Sequence, residues 1–467
     1  MYLRKVVIEN IKCFGRAELN LMRDDGQVKR WNVILGENGT GKSTLLQAIA
    51  MALMGPDPSN RLARLERWVR AGQTHGEIVA EVIAGPNDQL TLTGGKPRRT
   101  PYSAAYAVTG DTEVSIGGVV YDRPTLVFEG TKDQLNSLKR GLLSEKSAGW
   151  FAAGYGPFRR LLGGAPDTIR LMYPGQKEAR FITLFREDAA LEDLTDWLTR
   201  LDHRSREDTE AGRRAQRIKA VVKDVVDHLL PAGVALSRIG PDGAFFDTPY
   251  RTDTAMPDLS DGYRSMLALA ADLLRRLDET YDRVEDWISE DGKITVEGVV
   301  LIDELDAHLH PVWQRQIGFW LPEQFPKLQF IVATHSPFIP QAADTNALWV
   351  LRSDAMTPDI VSAYQDFPSV KGWRADQILN ALFSLSELRD PETERKMRRH
   401  AELQARQASG LLNLSEASEL SELAKWLSEH LSPPGDTPEE MTKYAAIKKQ
   451  MDAFLSSSRK PGAHAEG

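Results

Sequence analysis

The segment Gly36-Glu37-Asn38-Gly39-Thr40-Gly41-Lys42-Ser43 places glycines, one ammonium and one hydroxyl within eight positions. Glycines let successive backbone N–H groups turn inward around a phosphate chain, a lysine reaches its outer oxygens, and a hydroxyl can enter the shell of a magnesium ion. Before the loop runs the apolar Trp31-Asn32-Val33-Ile34-Leu35, and after it the helix-forming Thr44-Leu45-Leu46-Gln47-Ala48-Ile49-Ala50. Strand, glycine loop and helix N-terminus together make an anion site. The chemistry indicated is binding of a nucleoside triphosphate through Gly36, Asn38, Gly39, Thr40, Gly41, Lys42, Ser43 and Thr44.

Further along, Val299-Val300-Leu301-Ile302 ends in Asp303-Glu304, a buried strand delivering two carboxylates at its carboxyl end. Phosphoryl transfer needs one acid in the magnesium shell and one to orient or deprotonate water, which suits Asp303 and Glu304 respectively. A second apolar run, Leu328 to Ala333, ends in Thr334-His335 and carries His335 towards an outermost phosphate. Leu259-Ser260-Asp261-Gly262 precedes a helical pattern from Arg264 to Leu274. Alone, that segment reads as an N-cap with a flexible glycine; its place between the phosphate loop and the Asp303 strand favours an anion-binding role.

This order of segments resembles the head of an ATP-binding-cassette (ABC) ATPase. Asp303-Glu304-Leu305-Asp306-Ala307-His308-Leu309-His310-Pro311 is similar to the soluble RecF/SMC-like branch, which includes small bacterial ATPases of anti-phage systems. The resemblance implies an α/β P-loop NTPase of ABC-ATPase head type, with an antiparallel β-subdomain, a helical insertion and an α-helical C-terminal extension. It implies ATP and Mg²⁺ as ligands, Ser43 and Asp303 as the metal residues, and Glu304 and His335 as the catalytic ones. Asp306 would lie on a loop crossing a dimer interface, and Leu259, Ser260, Asp261 and Gly262 would act in trans within a head-to-head homodimer or higher homo-oligomer. One feature departs from the pattern. The superfamily usually carries a glutamine between the phosphate loop and the signature, whereas here Ala152-Ala153-Gly154-Tyr155-Gly156-Pro157-Phe158-Arg159-Arg160 stands in its place. Arg159 and Arg160 either contribute to sensing the terminal phosphate or are solvated charges after a turn.

Composition sets outer bounds. With 467 residues and 42% hydrophobic content the chain can bury a large core. No run approaches about eighteen apolar residues, so no transmembrane helix is expected, and the opening Met1 to Ile8 alternates like a strand, unlike a secretory leader. Cys13 is the only cysteine, which fits a reducing, cytoplasmic setting. A net charge of −8 argues against a nonspecific nucleic-acid coat. Clusters such as Arg213, Arg214, Arg217, Lys219 and Lys223 read as solvated faces, and leave room for a DNA-tracking groove across a dimer. His308 and His310 invite a zinc reading that would need further ligands; the alternative is a loop entering a helix with Pro311 at N1 and Trp313, Ile317 and Trp320 facing the sheet.

The expected organisation is an ATPase head over 1–365, with antiparallel strands from Gly76 to Phe128 and a helical insertion over 130–235. That insertion is too short for a long coiled-coil arm, since a helix rises only about 1.5 Å per residue. A helical interaction region follows over 366–455, with Trp373, Phe383, Trp426, Tyr444 and Phe454 as aromatic anchors and a break at Pro433-Pro434-Gly435. The residues 456–467 read as a disordered tail. Gly372-Trp373, the amphipathic helix after it and Arg389-Asp390-Pro391-Glu392-Thr393-Glu394 resemble the ATPase subunit of Septu-type anti-phage defence. That resemblance implies a regulatory ATPase working with a separate HNH-type nuclease partner. The other function class left open is a stand-alone RecF-like DNA-repair or DNA-end-binding ATPase.

Overall fold

The apolar run before the phosphate loop and those ending at Ile302 and Ala333 lack polar alternation because both faces of their sheet are covered. The computed structural model describes residues 1–431 except 92–94, 111–112, 145–146, 160–176, 188, 190–193, 231–232, 241–242, 282–286, 355–356, 358–359, 366 and 386–388. Arg160, the Pro433-Pro434-Gly435 break, Tyr444, Phe454 and the 456–467 tail lie outside these residues. Two compact units are present, Met1–Leu385 and the chain from Ser386 onward.

The strands, in chain order, are β1 (Tyr2–Ile11), β2 (Phe14–Asn20), β3 (Trp31–Gly36), β4 (His75–Ile83), β5 (Tyr102–Thr109), β6 (Val114–Ile116), β7 (Val119–Tyr121), β8 (Leu126–Phe128), β9 (Phe151–Tyr155), β10 (Ala235–Gly240), β11 (Gly243–Asp247), β12 (Thr254–Ala255), β13 (Gly298–Ile302), β14 (Leu328–Ala333), β15 (Leu348–Ser353) and β16 (Val361–Tyr364). Among the described residues eleven of them form one sheet in the order β8-β5-β4-β1-β2-β16-β15-β3-β14-β13-β9. From β15 to β9 the pairs are parallel; β1, β2, β4, β5 and β8 pair antiparallel, as the alternating residues 76–128 predict. The phosphate-loop strand thus lies in mid-sheet between strands made far later in the chain: Asn32 on β3 donates to the Phe330 carbonyl on β14 across 298 positions.

Period-2 alternation divides the parallel strands between two cores. Trp31, Val33, Leu35, Val300, Ile302, Phe330 and Val332 join one, with the helix Asp261–Thr280. Ile34, Val299, Leu301, Ile331 and Ala333 join the other, with the helix Lys42–Met54. That helix has no polar face because it is buried nearly all round.

The expected helical insertion contains the helices Lys132–Arg140, Leu194–Arg204 and Glu210–Leu229, and it also supplies β9 to the main sheet. Phe151 to Tyr155 extends as a strand because its small Ala and Gly residues admit close neighbours; a Cβ on Gly154 would lie 2.7 Å from the Phe181 ring. The helix Ala375–Phe383 packs Ile378 and Leu382 into the first unit's core, with Trp373 and Phe383 beside them. Its compact unit therefore runs to Leu385, beyond the boundary expected near residue 365.

In the second unit the helices Pro391–Ala408 and Leu414–His430 form an antiparallel hairpin. Asp390 caps the first helix and Asn413 closes a capping box with Glu416 on the second. Arg399 forks onto Glu419 at 2.8 Å through Nε and Nη2, and Lys396 lies 3.6 Å from the Trp426 ring centre. Trp426, expected as an anchor for a partner, is stacked on His430 within its own hairpin. Among the described residues no helix is long and apolar enough to cross a membrane.

Candidate nucleotide site

Register builds the site. Ile302 lies opposite Val332 on β14 and Tyr155 on β9, and Ala333 opposite Ile34 on β3. The carboxyl ends of four neighbouring parallel strands thus share one edge, the usual ligand edge of an open α/β sheet. Backbone bonds extend the alignment beyond the strands: Asp303 N–H donates to the Tyr155 carbonyl at 2.8 Å and Thr334 N–H to the Ile34 carbonyl at 3.2 Å.

The loop after β3 is curled by Gly39 and Gly41 at φ +82° and +89°, left-handed values that favour glycine. Gly41 lies on the turn between β1 and β2, where a Cβ would come within 2.6 Å of Cys13 Sγ and 2.7 Å of the Phe14 ring. At Gly36 a Cβ would meet Thr40 Oγ1 at 2.5 Å. Lys42 is 7% exposed, and its ammonium donates at 2.9 Å to the carbonyls of Gly36 and Glu37. Burial lowers its pKa against the pull of Asp303, Glu304 and Asp306. Asn38 and Ser43 are exposed, while Thr40 and Thr44 are buried.

Burial pushes the Asp303 carboxyl above the usual carboxylate range, and the neighbouring Ser43 hydroxyl partly offsets that rise. Hydroxyl and carboxylate are hard oxygen donors of the kind Mg²⁺ prefers. With an inward-curled loop and a lysine held over its carbonyls, these residues fit a magnesium-bound polyphosphate. Glu304 follows at φ +45°, its N–H on Asp303 Oδ1 at 3.1 Å. Asp306 Oδ1 accepts from Thr334 Oγ1 at 2.5 Å and from the His335 N–H at 3.2 Å, tying the loop after β13 to the end of β14. The half-buried His335 has its pKa lowered by burial and by Lys42.

Leu259 is buried and Ser260 and Asp261 are exposed at the start of the helix Asp261–Thr280. Ser260 occupies the N-cap position, but its side chain makes no cap hydrogen bond there. Asp261 pairs with Arg264. Gly262 abuts the loop after β13, where a Cβ would stand 2.6 Å from the His308 carbonyl. The signature segment and the Asp303–His308 loop are therefore neighbours within one chain. His310 Nδ1 accepts from Val312 N–H at 3.3 Å and caps the helix Pro311–Gln324.

Arg159 resolves one of the two readings left open above. It is 5% exposed, with Nε donating to Ser265 Oγ at 3.2 Å and Nη2 to the Glu304 carbonyl at 2.8 Å, so it is no solvated charge. The signal in the sequence is Gly156-Pro157: a Cβ on Gly156 would lie 1.9 Å from the Thr183 carbonyl, so the turn carrying Arg159 inward depends on glycine.

Two family profiles match the chain: "AAA domain, putative AbiEii toxin, Type IV TA system" over residues 162–339 and "AAA domain" over residues 5–83. The Septu protein PtuA of Bacillus mycoides is 25% identical over 385 residues, covering 82% of this chain and 44% of that protein. A probable ATPase of retron Ec83 from Escherichia coli is 34% identical over 187 residues, 39% of this chain and 30% of that one. The DNA replication and repair protein RecF of Deinococcus radiodurans is 35% identical over 113 residues, 22% and 30% of the two chains. Among solved structures, an SMC head bound to the C-terminal winged-helix domain of ScpA aligns with a TM-score of 0.45 at 16% identity, over 78% of this chain and 98% of that one. The chain spans less than half the length of the curated relatives it matches first. Its AAA-domain matches, its similarity across most of its length and its phosphate-loop α/β sheet make this chain a relative of the Septu protein PtuA.

Proposed function

We propose that this chain binds ATP with Mg²⁺ and hydrolyses it to ADP and phosphate, as a regulatory ATPase of anti-phage defence. One observation carries the reading: Lys42, Ser43, Asp303, Glu304 and His335 all follow the carboxyl ends of the adjacent strands β3, β13 and β14. Lys42 and the N–H groups from Asn38 to Gly41 hold the phosphates, and Ser43 and Asp303 hold the magnesium ion. When bound, that ion neutralises charge on the phosphate oxygens. Glu304 orients the attacking water and takes its proton, and His335 contacts the terminal phosphate from the end of β14. Two heads close around two nucleotides, with Ser260, Asp261 and Gly262 of each meeting the nucleotide of the other, the buried Leu259 anchoring that segment to its own core, and Asp306 in the loop beside the interface. The exposed Ser260 hydroxyl, uncommitted to its own helix, supports this action in trans.

An HNH-type nuclease is the proposed partner, by analogy with Septu systems. The second unit supports a docking role through Leu411 and Leu414, 68% and 94% exposed at the tip of its hairpin. A stand-alone RecF-like role in DNA repair is the weaker reading, because the PtuA match spans 82% of the chain and the RecF match 22%.

The test is nucleotide binding and turnover by Glu304→Gln and Lys42→Ala. Glu304→Gln should bind ATP, stall, and elute from a sizing column with ATP as a dimer or larger species. Lys42→Ala should bind weakly. Full turnover by Glu304→Gln would overturn the assignment.

A further inference from the structure

Arginine in a protein interior normally ends on a carboxylate, its planar fork matched by two oxygens. Arg159 does not. Its Nε and Nη2 are spent on a hydroxyl and a carbonyl, and Nη1, also buried, has no hydrogen-bond partner among the described residues. Asp306, Asp303 and Glu304 are close enough to favour its charge. A buried donor left unpaired costs free energy and needs an explanation.

Its two engaged nitrogens reach functional elements. Ser265 stands one turn into the helix that begins at the Leu259–Gly262 segment, and the Glu304 carbonyl belongs to the residue proposed to handle water. Glu304 has the left-handed φ of +45°, which a residue with a Cβ holds only when its surroundings fix it. Arg159 supplies one such restraint. The guanidinium thus links the end of β9, the end of β13 and the signature helix, with one donor to spare.

We infer that Arg159 is the group by which this head tells a nucleoside triphosphate from a diphosphate: its spare Nη1 takes an oxygen of the terminal phosphate, and its grip on the Glu304 carbonyl and Ser265 passes that occupancy to the water-handling residue and the signature helix. Arg159 is in this sense a positioning residue for Glu304. The inference rests on the nucleotide-binding function proposed above.

The experiment measures affinity without turnover. Full-length unsubstituted protein, Arg159→Gln and Arg159→Lys are each titrated with ADP and with a non-hydrolysable ATP analogue, both with Mg²⁺, by displacement of a fluorescent ADP. Loss of one charge-assisted hydrogen bond should lower triphosphate affinity by about tenfold to a hundredfold in Arg159→Gln. ADP affinity should stay within about twofold, because the lost donor concerns only the terminal phosphate. Arg159→Lys should fall between, since an ammonium keeps the charge but not the fork. Equal loss for both nucleotides would mark a mere packing residue and overturn the inference, as would an unchanged triphosphate preference. If Arg159→Gln does not fold, Arg159→Lys, which keeps the buried charge and stem, decides by the same ratio. An unsubstituted chain that binds neither nucleotide overturns the proposed function itself; one that prefers the triphosphate while its variants prefer it equally overturns this inference alone.

Discussion

Gly41 shows how much a single position in the phosphate loop is constrained. Its φ of +89° and the sulfur and ring lying 2.6 and 2.7 Å from any added Cβ act together, so Gly41→Ala has neither a relaxed backbone nor room. Strain of about 1–3 kcal/mol from the backbone alone is expected, and calorimetric titration should find nucleotide binding lost while the far-ultraviolet spectrum is kept. Retained affinity would mean that the β1–β2 turn yields. His335 gives a pH signature. Burial and Lys42 hold its imidazole below the ordinary value of about 6.5, so as pH falls the unfolded chain takes up the proton first. Its contribution to stability is therefore complete above about pH 7 and is lost as pH falls through the unfolded value towards the lower folded one. Nucleotide-free His335→Gln should show a flatter decline of melting temperature between about pH 7 and 5 than the unsubstituted protein; parallel curves would contradict it. At this scale the sequence speaks where partners are close in the chain. Gly36 to Ser43 and Asp303-Glu304 are contiguous, whereas Arg159 meets Ser265 and Glu304 across 106 and 145 positions, which no local pattern encodes.

The helix Asp261–Thr280 is an element held by buried charge. Asp272 Oδ2 accepts from Tyr155 Oη at 3.0 Å, and Asp272 Oδ1 accepts from Arg275 Nη2 at 2.6 Å. Arg276, also buried, lies 3.5 Å from Asp272 and donates to the Ala179 carbonyl at 2.9 Å. Burial pushes the Asp272 carboxyl up, yet Arg276 and Arg275 hold it below the usual carboxylate range. Asp272→Ala leaves two buried guanidiniums short of their counter-ion and should cost about 3–5 kcal/mol in chemical denaturation. A loss under about 1 kcal/mol would show that the network relaxes onto Glu279, which lies 2.6 Å from Arg275 Nη1. Elements with strong periodicity were legible: β3, β13 and β14 match the apolar runs, and this helix the pattern from Arg264 to Leu274. The hairpin β10–β11 offered no such signal. It is short, with Ser237 and Arg238 exposed, and part of its order comes from Arg238 lying 3.6 Å over the Phe245 ring. β9 hid among helical segments for the same reason, being five small and aromatic residues whose strand character comes from pairing with β13.

At the scale of the whole molecule, the proposed closure of two heads predicts complementation. Ser260→Arg and Lys42→Ala chains, each inactive alone, should regain ATPase activity on mixing, because one of the two composite sites would then have both halves intact. Demonstrated heterodimers that stay inactive at every ratio would contradict it. The second unit invites truncation. A cut after Pro368 would remove Val370, Ile378 and Leu382 from the first unit's core, whereas a cut after Leu385 spares them. A chain ending at Leu385 should keep nucleotide binding and lose co-purification with a nuclease partner; capture of the partner by this shorter chain would move the interface to the head. The sequence suggested a boundary near 365 because composition changes there, but burial of the helix Ala375–Phe383 sets it later.

The central position of β3 has a consequence for synthesis. Its hydrogen-bonded neighbour at Phe330 leaves the ribosome 298 residues after Asn32, a wait of roughly 15–60 s at elongation rates of about 5–20 residues per second. The phosphate loop is thus made long before it acquires its floor and walls. For that interval the nascent chain carries the apolar β3 without either flanking strand, and pairing at such separation is intrinsically slow. A ligand of the finished site can stabilise only a chain whose carboxyl half has already arrived.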